Sequence, residues 1–174
     1  MSNRLPIDPD VCYMLGICTI NGEVPLISVS SADDHVTDRF IKTAIGRFKI
    51  DPKKISFEES EGIKTVGFYN SILKKKLLNL MSERDRILKY FNDYSGSYFA
   101  GIFDVRGGVD RKGIFLKHLN PVDVIVLERL GIRVTGRGVF RMRSPSRFAD
   151  LVRPYSEKFK YLEQQSNSGK NGKV

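Results

Sequence analysis

The sequence predicts an α+β fold assembled twice from the same parts. A helix, a strand pair, an amphipathic helix, a second strand pair and a closing helix recur along the chain, with the second copy shortened between Gly107 and Asn120. Two apolar segments centred on Gly16 and Gly101 open the copies, and these glycines stand 85 residues apart. The 174 residues can bury a real core as one domain or two small similar halves. A content of 41% hydrophobic and 28% charged residues argues against wholesale disorder and collagen-like structure. No apolar run reaches membrane-spanning length.

The elements follow in order. Residues 1–10 are polar and proline-containing, with no basic-then-apolar order, so no secretory signal is expected and an intracellular, cytoplasmic protein is. Residues 10–20 read as the first helix. It places Cys12 and Cys18 on different faces, where they are expected to be buried small apolar residues and not a bridge. Residues 25–30 alternate as a strand with Ile27 and Val29 inward and the serines outward. Over residues 32–49, Val36, Phe40, Ile41, Ala44, Ile45 and Phe48 recur at helical spacing, and Ser31 with Asp34 resembles a capping box. Residues 54–58 and 63–69, flanking a turn at 59–62, read as a hairpin. Residues 70–91 read as one long helix or two broken around Ser82, with Lys74, Lys75 and Lys76 as a solvated face. In the second half, helices are expected over residues 96–105 and from Asn120-Pro121 to Gly131, the latter burying Ile125, Leu127 and Leu130. Strands follow at 132–135 and 139–143. The division is thus a first lobe over 1–95, a second over 96–163 and, nearly devoid of apolar residues, a mobile tail over 164–174.

Charge is uneven along the chain. Residues 1–87 hold 13 Lys+Arg and 12 Asp+Glu, a net of +1, whereas residues 88–174 hold 16 and 8, a net of +8. Such a regional excess predicts attraction to a polyanion, nucleic acid above all. The last strand sharpens this, because Phe140 and Met142 point one way and Arg141 and Arg143 the other. Arg133 and Arg137 beside that strand, with Arg111, Lys112 and Lys117 earlier, enlarge the same cationic surface; the bland alternative is solvated cations without a partner. His35 and His118 are isolated from other ligand types, so no zinc site is expected, and no phosphate-cradling glycine pattern occurs.

The nonapeptides Met14-Leu15-Gly16-Ile17-Cys18-Thr19-Ile20-Asn21-Gly22 and Phe99-Ala100-Gly101-Ile102-Phe103-Asp104-Val105-Arg106-Gly107 resemble the LAGLIDADG signature of homing endonucleases and their maturase relatives. Gly16 and the Ala100-Gly101 pair lack bulk, so two helix backbones can approach closely at a lobe interface. Leu26-Ile27-Ser28-Val29-Ser30-Ser31, Phe68-Tyr69-Asn70-Ser71 and residues 138–144 also look like the family, and the resemblance covers most of residues 10–162. It implies two pseudo-symmetric αββαββα lobes whose antiparallel sheets form a saddle over a duplex, within a monomer of internal pseudo-twofold symmetry.

Active members of that family place one carboxylate from each signature, at its eighth position, where the pair holds divalent metal ions over the scissile phosphates. Here those positions are Asn21 and Arg106. An amide is a poor Mg²⁺ ligand and a guanidinium has no lone pair; like unit charges about 4 Å apart cost roughly 4 kcal/mol at an effective dielectric near 20. No catalytic residue, metal or other cofactor is therefore expected, unless Glu23, Asp104 or Asp110 replaces the missing acids with Mg²⁺. The expectation is a non-catalytic nucleic-acid-binding protein, acting on duplex DNA or structured RNA and not on membranes. Two alternatives stand beside it: an active Mg²⁺-dependent endonuclease using displaced acids, and a protein-interaction subunit of a nucleoprotein assembly. The family contains both RNA-binding maturases and DNA-binding regulators, so the resemblance leaves DNA or RNA open.

Overall fold

The computed structural model describes residues 5–20 and 24–160, and the expected tail over 164–174 lies outside them. Its first unit runs α1 (Pro9–Ile17), β1 (Thr19–Ile20), β2 (Leu26–Ser31), α2 (Asp34–Gly46), β3 (Ser56–Ser60), β4 (Ile63–Tyr69), α3 (Ser71–Ser82) and the short α4 (Arg84–Ile87). The second runs α5 (Asp93–Arg106), β5 (Gly107–Asp110), β6 (Gly113–Lys117), α6 (Pro121–Arg129), β7 (Val134–Thr135), β8 (Val139–Met142) and α7 (Pro145–Val152), and residues 157–160 are again helical. Each unit contributes one four-stranded antiparallel sheet, ordered β1-β2-β4-β3 in the first and β5-β6-β8-β7 in the second. The identical order is the repeat expected from the sequence, now in three dimensions.

Capping chemistry sets most boundaries. Pro9 occupies the first helical position of α1, and the Asp8 carboxylate accepts from Val11 N at 2.9 Å. The helix stops at Ile17, short of the expected residue 20, because Thr19 and Ile20 pair with Ser28 and Ile27 in the sheet. Asp33, not Ser31, caps α2 by accepting from His35 N at 2.9 Å, while Ser31 Oγ accepts from Asp33 N. That helix ends at Gly46, before Lys49 takes a left-handed φ of 56°. A 3-10 turn over Pro52–Lys54 delays β3 to Ser56. Asn70 caps α3, and the break before α4 falls at Glu83. In α5, Asn92 and Ser95 form a reciprocal capping box that starts the helix at Asp93, three residues before the expected start.

Three burial expectations are corrected. Lys74 is buried, its ammonium donating to the Val24 carbonyl at 2.7 Å, so only Lys75 and Lys76 continue the solvated run. Ser28 is buried beside Gly67, where an added Cβ would lie 2.9 Å from the serine Cβ. Ile125 is exposed, and Val126 and Leu127 are the residues of α6 that enter the core.

The centre of the molecule is the crossing of α1 and α5. Every residue of α1 from Val11 to Ile17 is buried, as is every residue of α5 from Ser95 to Asp104, the pattern of helices enclosed on all sides. The closest approach is at Gly16 and Gly101, whose Cα positions allow no side chain between them: a Cβ on Gly16 would stand 3.1 Å from Gly101 Cα. A buried polar knot ties α4 to α5 and α6, with Arg84 Nε and Tyr98 Oη donating to the same Asp123 oxygen at 2.8 and 2.9 Å.

Cys12, in the enclosed part of α1, is a free thiol whose pKa burial and the Asp8 charge push up to about 12. Iodoacetamide at pH 8 is expected to leave Cys12 unmodified in the native protein and to modify it fully in urea, read by peptide mass spectrometry. Rapid native labelling would mean that α1 opens in solution.

Candidate nucleic-acid interface

Strand register assembles the cationic surface. Ile114 and Leu116 of β6 and Phe140 and Met142 of β8 turn toward the core, leaving Phe115, Lys117, Val139 and Arg141 on the outward face. One row across that face reads Gly108, Phe115, Arg141, Thr135. Arg143 N donates to Arg133 O at 2.8 Å just beyond the paired residues, so these two arginines flank the same face. Arg111 and Lys112 form the β5–β6 turn, and Arg137 lies between β7 and β8. The structure thus brings all seven of these residues to one sheet and its turns.

They are not equivalent. Arg141 is held by Asp110 in a two-pronged pair, with both N···O distances 2.8 Å, and the guanidinium holds the Asp110 carboxyl down to about 2. Asp110 ends β5. The other six, Arg111, Lys112, Lys117, Arg133, Arg137 and Arg143, are exposed and make no ion pair among the described residues. Phe115, which sequence reasoning missed, lies at the middle of the face. Its ring lies 5.7 Å from the Arg141 guanidinium and 5.9 Å from the Lys117 ammonium. The ring rests over Gly108, where a Cβ would be 2.8 Å from it. Alternation with Ile114 and Leu116 was the available signal for this aromatic.

Among the described residues, the ends of the two central helices carry two cations, Arg106 and Lys158, and one fully engaged carboxylate, Asp104. Arg106 closes α5, and its Nη2 donates across the seam to the Gly16 carbonyl at a long 3.4 Å, near the C-terminus of α1 where positive charge is favoured. Lys158 Nζ donates to the carbonyls of Phe103 and Gly107 at 3.2 and 2.9 Å, capping the end of α5. Asp104 is 1% exposed and accepts from Tyr13 Oη, Ser156 Oγ, Glu157 N and Lys158 N, which occupies both oxygens. Asn21 and Glu23 lie outside the described residues.

These groups do not fit the divalent metal that the fold implies at this place. Arg106 and Lys158 bring positive charge, Asp104 is fully engaged and Asp110 is paired with Arg141. Among the described residues no cluster of three or more His, Cys, Asp or Glu side chains could hold a metal. His35 and His118 stay exposed and apart from any such cluster.

No family model matches the sequence, and no curated protein does. Solved structures do match by shape. The homing endonuclease I-DmoI in complex with DNA and Ca superposes with a TM-score of 0.67 at 14% identity, over 90% of this chain and 97% of that one. The homing endonuclease I-WcaI bound to its DNA recognition sequence gives 0.52 at 15% identity, over 88% and 83%. Full-length DUF199/WhiA from Thermatoga maritima gives 0.59 at 11% identity, over 99% of this chain and 64% of that one. With its twice-repeated unit and its glycine seam, the chain has the fold of the LAGLIDADG homing endonucleases and is structurally related to them.

Proposed function

We propose that this protein binds duplex DNA and does not cut it. The observation that carries the reading is the outward face of the second sheet, where six unpaired cations surround Phe115 and the Arg141–Asp110 pair. Cations at the rim and a nearly neutral centre suit a duplex, in which phosphate contacts set position and a few side chains meet base edges. The wide major groove of B-form DNA admits a β-ribbon, whereas A-form RNA hides the corresponding edges. That I-DmoI and I-WcaI share the fold and were solved on DNA supports the choice of DNA. The absence of cleavage rests on the seam, where Arg106 and Lys158 occupy the helix-end carbonyls.

The test is selection of bound sequences from pools of duplex DNA and duplex RNA, followed by salt titration of the winners. Six phosphate contacts predict a slope of log affinity against log salt of roughly −5 on DNA. Arg133→Gln with Arg143→Gln is expected to flatten it by about 2. Mg²⁺ is expected to produce no cleaved strand. A Mg²⁺-dependent product that Glu23→Gln abolishes would replace this reading with an endonuclease using a displaced acid. A flat salt response, or preference for the RNA pool, would overturn DNA as the partner.

A further inference from the structure

The two sheets share a strand order but not a charge. In the first sheet, register sets Leu26 opposite Tyr69, Ser28 opposite Gly67 and Ser30 opposite Thr65, with Ser56, Glu58 and Ser60 on the same side of β3. The other side carries Ile27, Val29, Val66 and Phe68 into the core. Among the described residues the outward face of this sheet therefore holds hydroxyls, apolar groups and one charge, the carboxylate of Glu58. The only cation in its strands, Lys64, lies on the core side and pairs with Asp34 at 2.5 Å. Lys53 and Lys54 are exposed in the turn before the edge strand β3.

The sequence carries the same contrast. Residues 5–38 contain no Lys or Arg. At the 85-residue spacing of the repeat, the segment 21–32 corresponds to 106–117, which contains Arg106, Arg111, Lys112 and Lys117. The hairpin β1–β2 is thus uncharged or acidic where β5–β6 is strongly basic. A duplex presents one negative charge per about 1.7 Å of axis, and a protein surface gains affinity there by releasing counterions through its cations. The first face has no cation with which to do so, and Glu58 adds repulsion toward phosphate.

We infer that this protein grips DNA with one hand: the second sheet occupies about one turn of duplex, and the outward face of the first makes no backbone contact. This rests on the DNA-binding reading and goes beyond it, because a two-sided saddle would cover two turns with similar affinity from each half. The first unit then acts as the body against which the second is braced, through the α1–α5 crossing and the Arg84–Asp123 pair between α4 and α6. Affinity and salt dependence come from the second half alone.

The experiment uses the full chain on a duplex of about 30 base pairs, selected for binding from a randomised pool and footprinted with hydroxyl radicals. Protection is expected over about one helical turn, 10–10.5 base pairs. In parallel, Lys53→Gln with Lys54→Gln is expected to change affinity less than about twofold, whereas Arg133→Gln with Arg143→Gln lowers it at least about tenfold. All four positions are exposed, so folding is not at stake. Protection of two turns, or a loss from the Lys53 and Lys54 changes equal to that from the arginines, would overturn the one-handed grip while leaving DNA binding standing. Absence of any bound duplex in the selection would overturn both.

Discussion

Gly16→Ala is expected to destabilise the protein by roughly 3 kcal/mol, a fall in Tm of about 6–12 °C for a chain of this size. The added methyl carbon would stand 2.2 Å from the Tyr98 carbonyl oxygen and 3.0 Å from Ile102 N, both backbone atoms of α5. No rotamer change relieves such a contact. The two central helices must move apart along their whole crossing, and everything packed on them must follow. Gly101→Ala meets the same obstacle at the Tyr13 carbonyl, 2.6 Å away. The control is Gly46→Ala at the last turn of α2, where nothing lies within 4 Å and φ is not left-handed. There the same methyl group should stabilise by about 0.5–1 kcal/mol through reduced freedom of the unfolded chain. Urea denaturation of the three variants decides the matter. A Gly16→Ala midpoint matching the parent would show that the seam is slack and that the crossing is not as close as described.

That seam was legible because Gly16 and the Ala100-Gly101 pair stand in two segments that resemble one signature, and the interface this resemblance implies needs residues without bulk. Helix faces were legible for the same kind of reason: Val36, Phe40 and Ala44 recur with the helical period and all three are buried. What escaped was set by partners remote in sequence. Helix α1 ends three residues early because the sheet claims Thr19 and Ile20, and no propensity at those positions foretells Ser28 and Ile27 as neighbours. Lys74 looked like its solvated neighbours until the Val24 carbonyl, 50 positions away, supplied its acceptor. In the binding surface, alternation along β8 revealed Arg141 but not its engagement by Asp110, which depends on the order β5-β6-β8. The cationic character of the second half was in the composition. That only one sheet face carries it needed the register, which sends Lys64 to the core side and Lys117 outward.

Asp104→Ala is expected to cost roughly 4 kcal/mol, since it removes the acceptor of four donors at a buried junction. Tyr13 Oη at 2.7 Å comes from α1, Glu157 N at 2.9 Å and Lys158 N at 3.2 Å from the helical segment near the end of the described chain, and Ser156 Oγ from just before it. Asp104→Asn should cost about half as much, because one oxygen survives and the amide that replaces the other meets two donors with a third. Tyr13→Phe removes one donor and leaves the carboxylate with three, so a loss near 1 kcal/mol is expected. The pH dependence separates the two forces on this group. Burial raises the Asp104 pKa above the ordinary 3.8, while the bonds from Ser156, Tyr13, Glu157 and Lys158 pull it down, and burial wins. A folded value above the unfolded one means that the native state binds the proton more tightly. Stability then rises as pH falls from neutral through that raised value toward 3.8, relative to the Asn variant, which has no such proton. Urea midpoints of parent and Asp104→Asn across this range measure the difference directly. A gap that moves in the opposite direction would mean that the four hydrogen bonds outweigh burial, and that the junction prefers a charge where the surrounding core predicts a neutral acid.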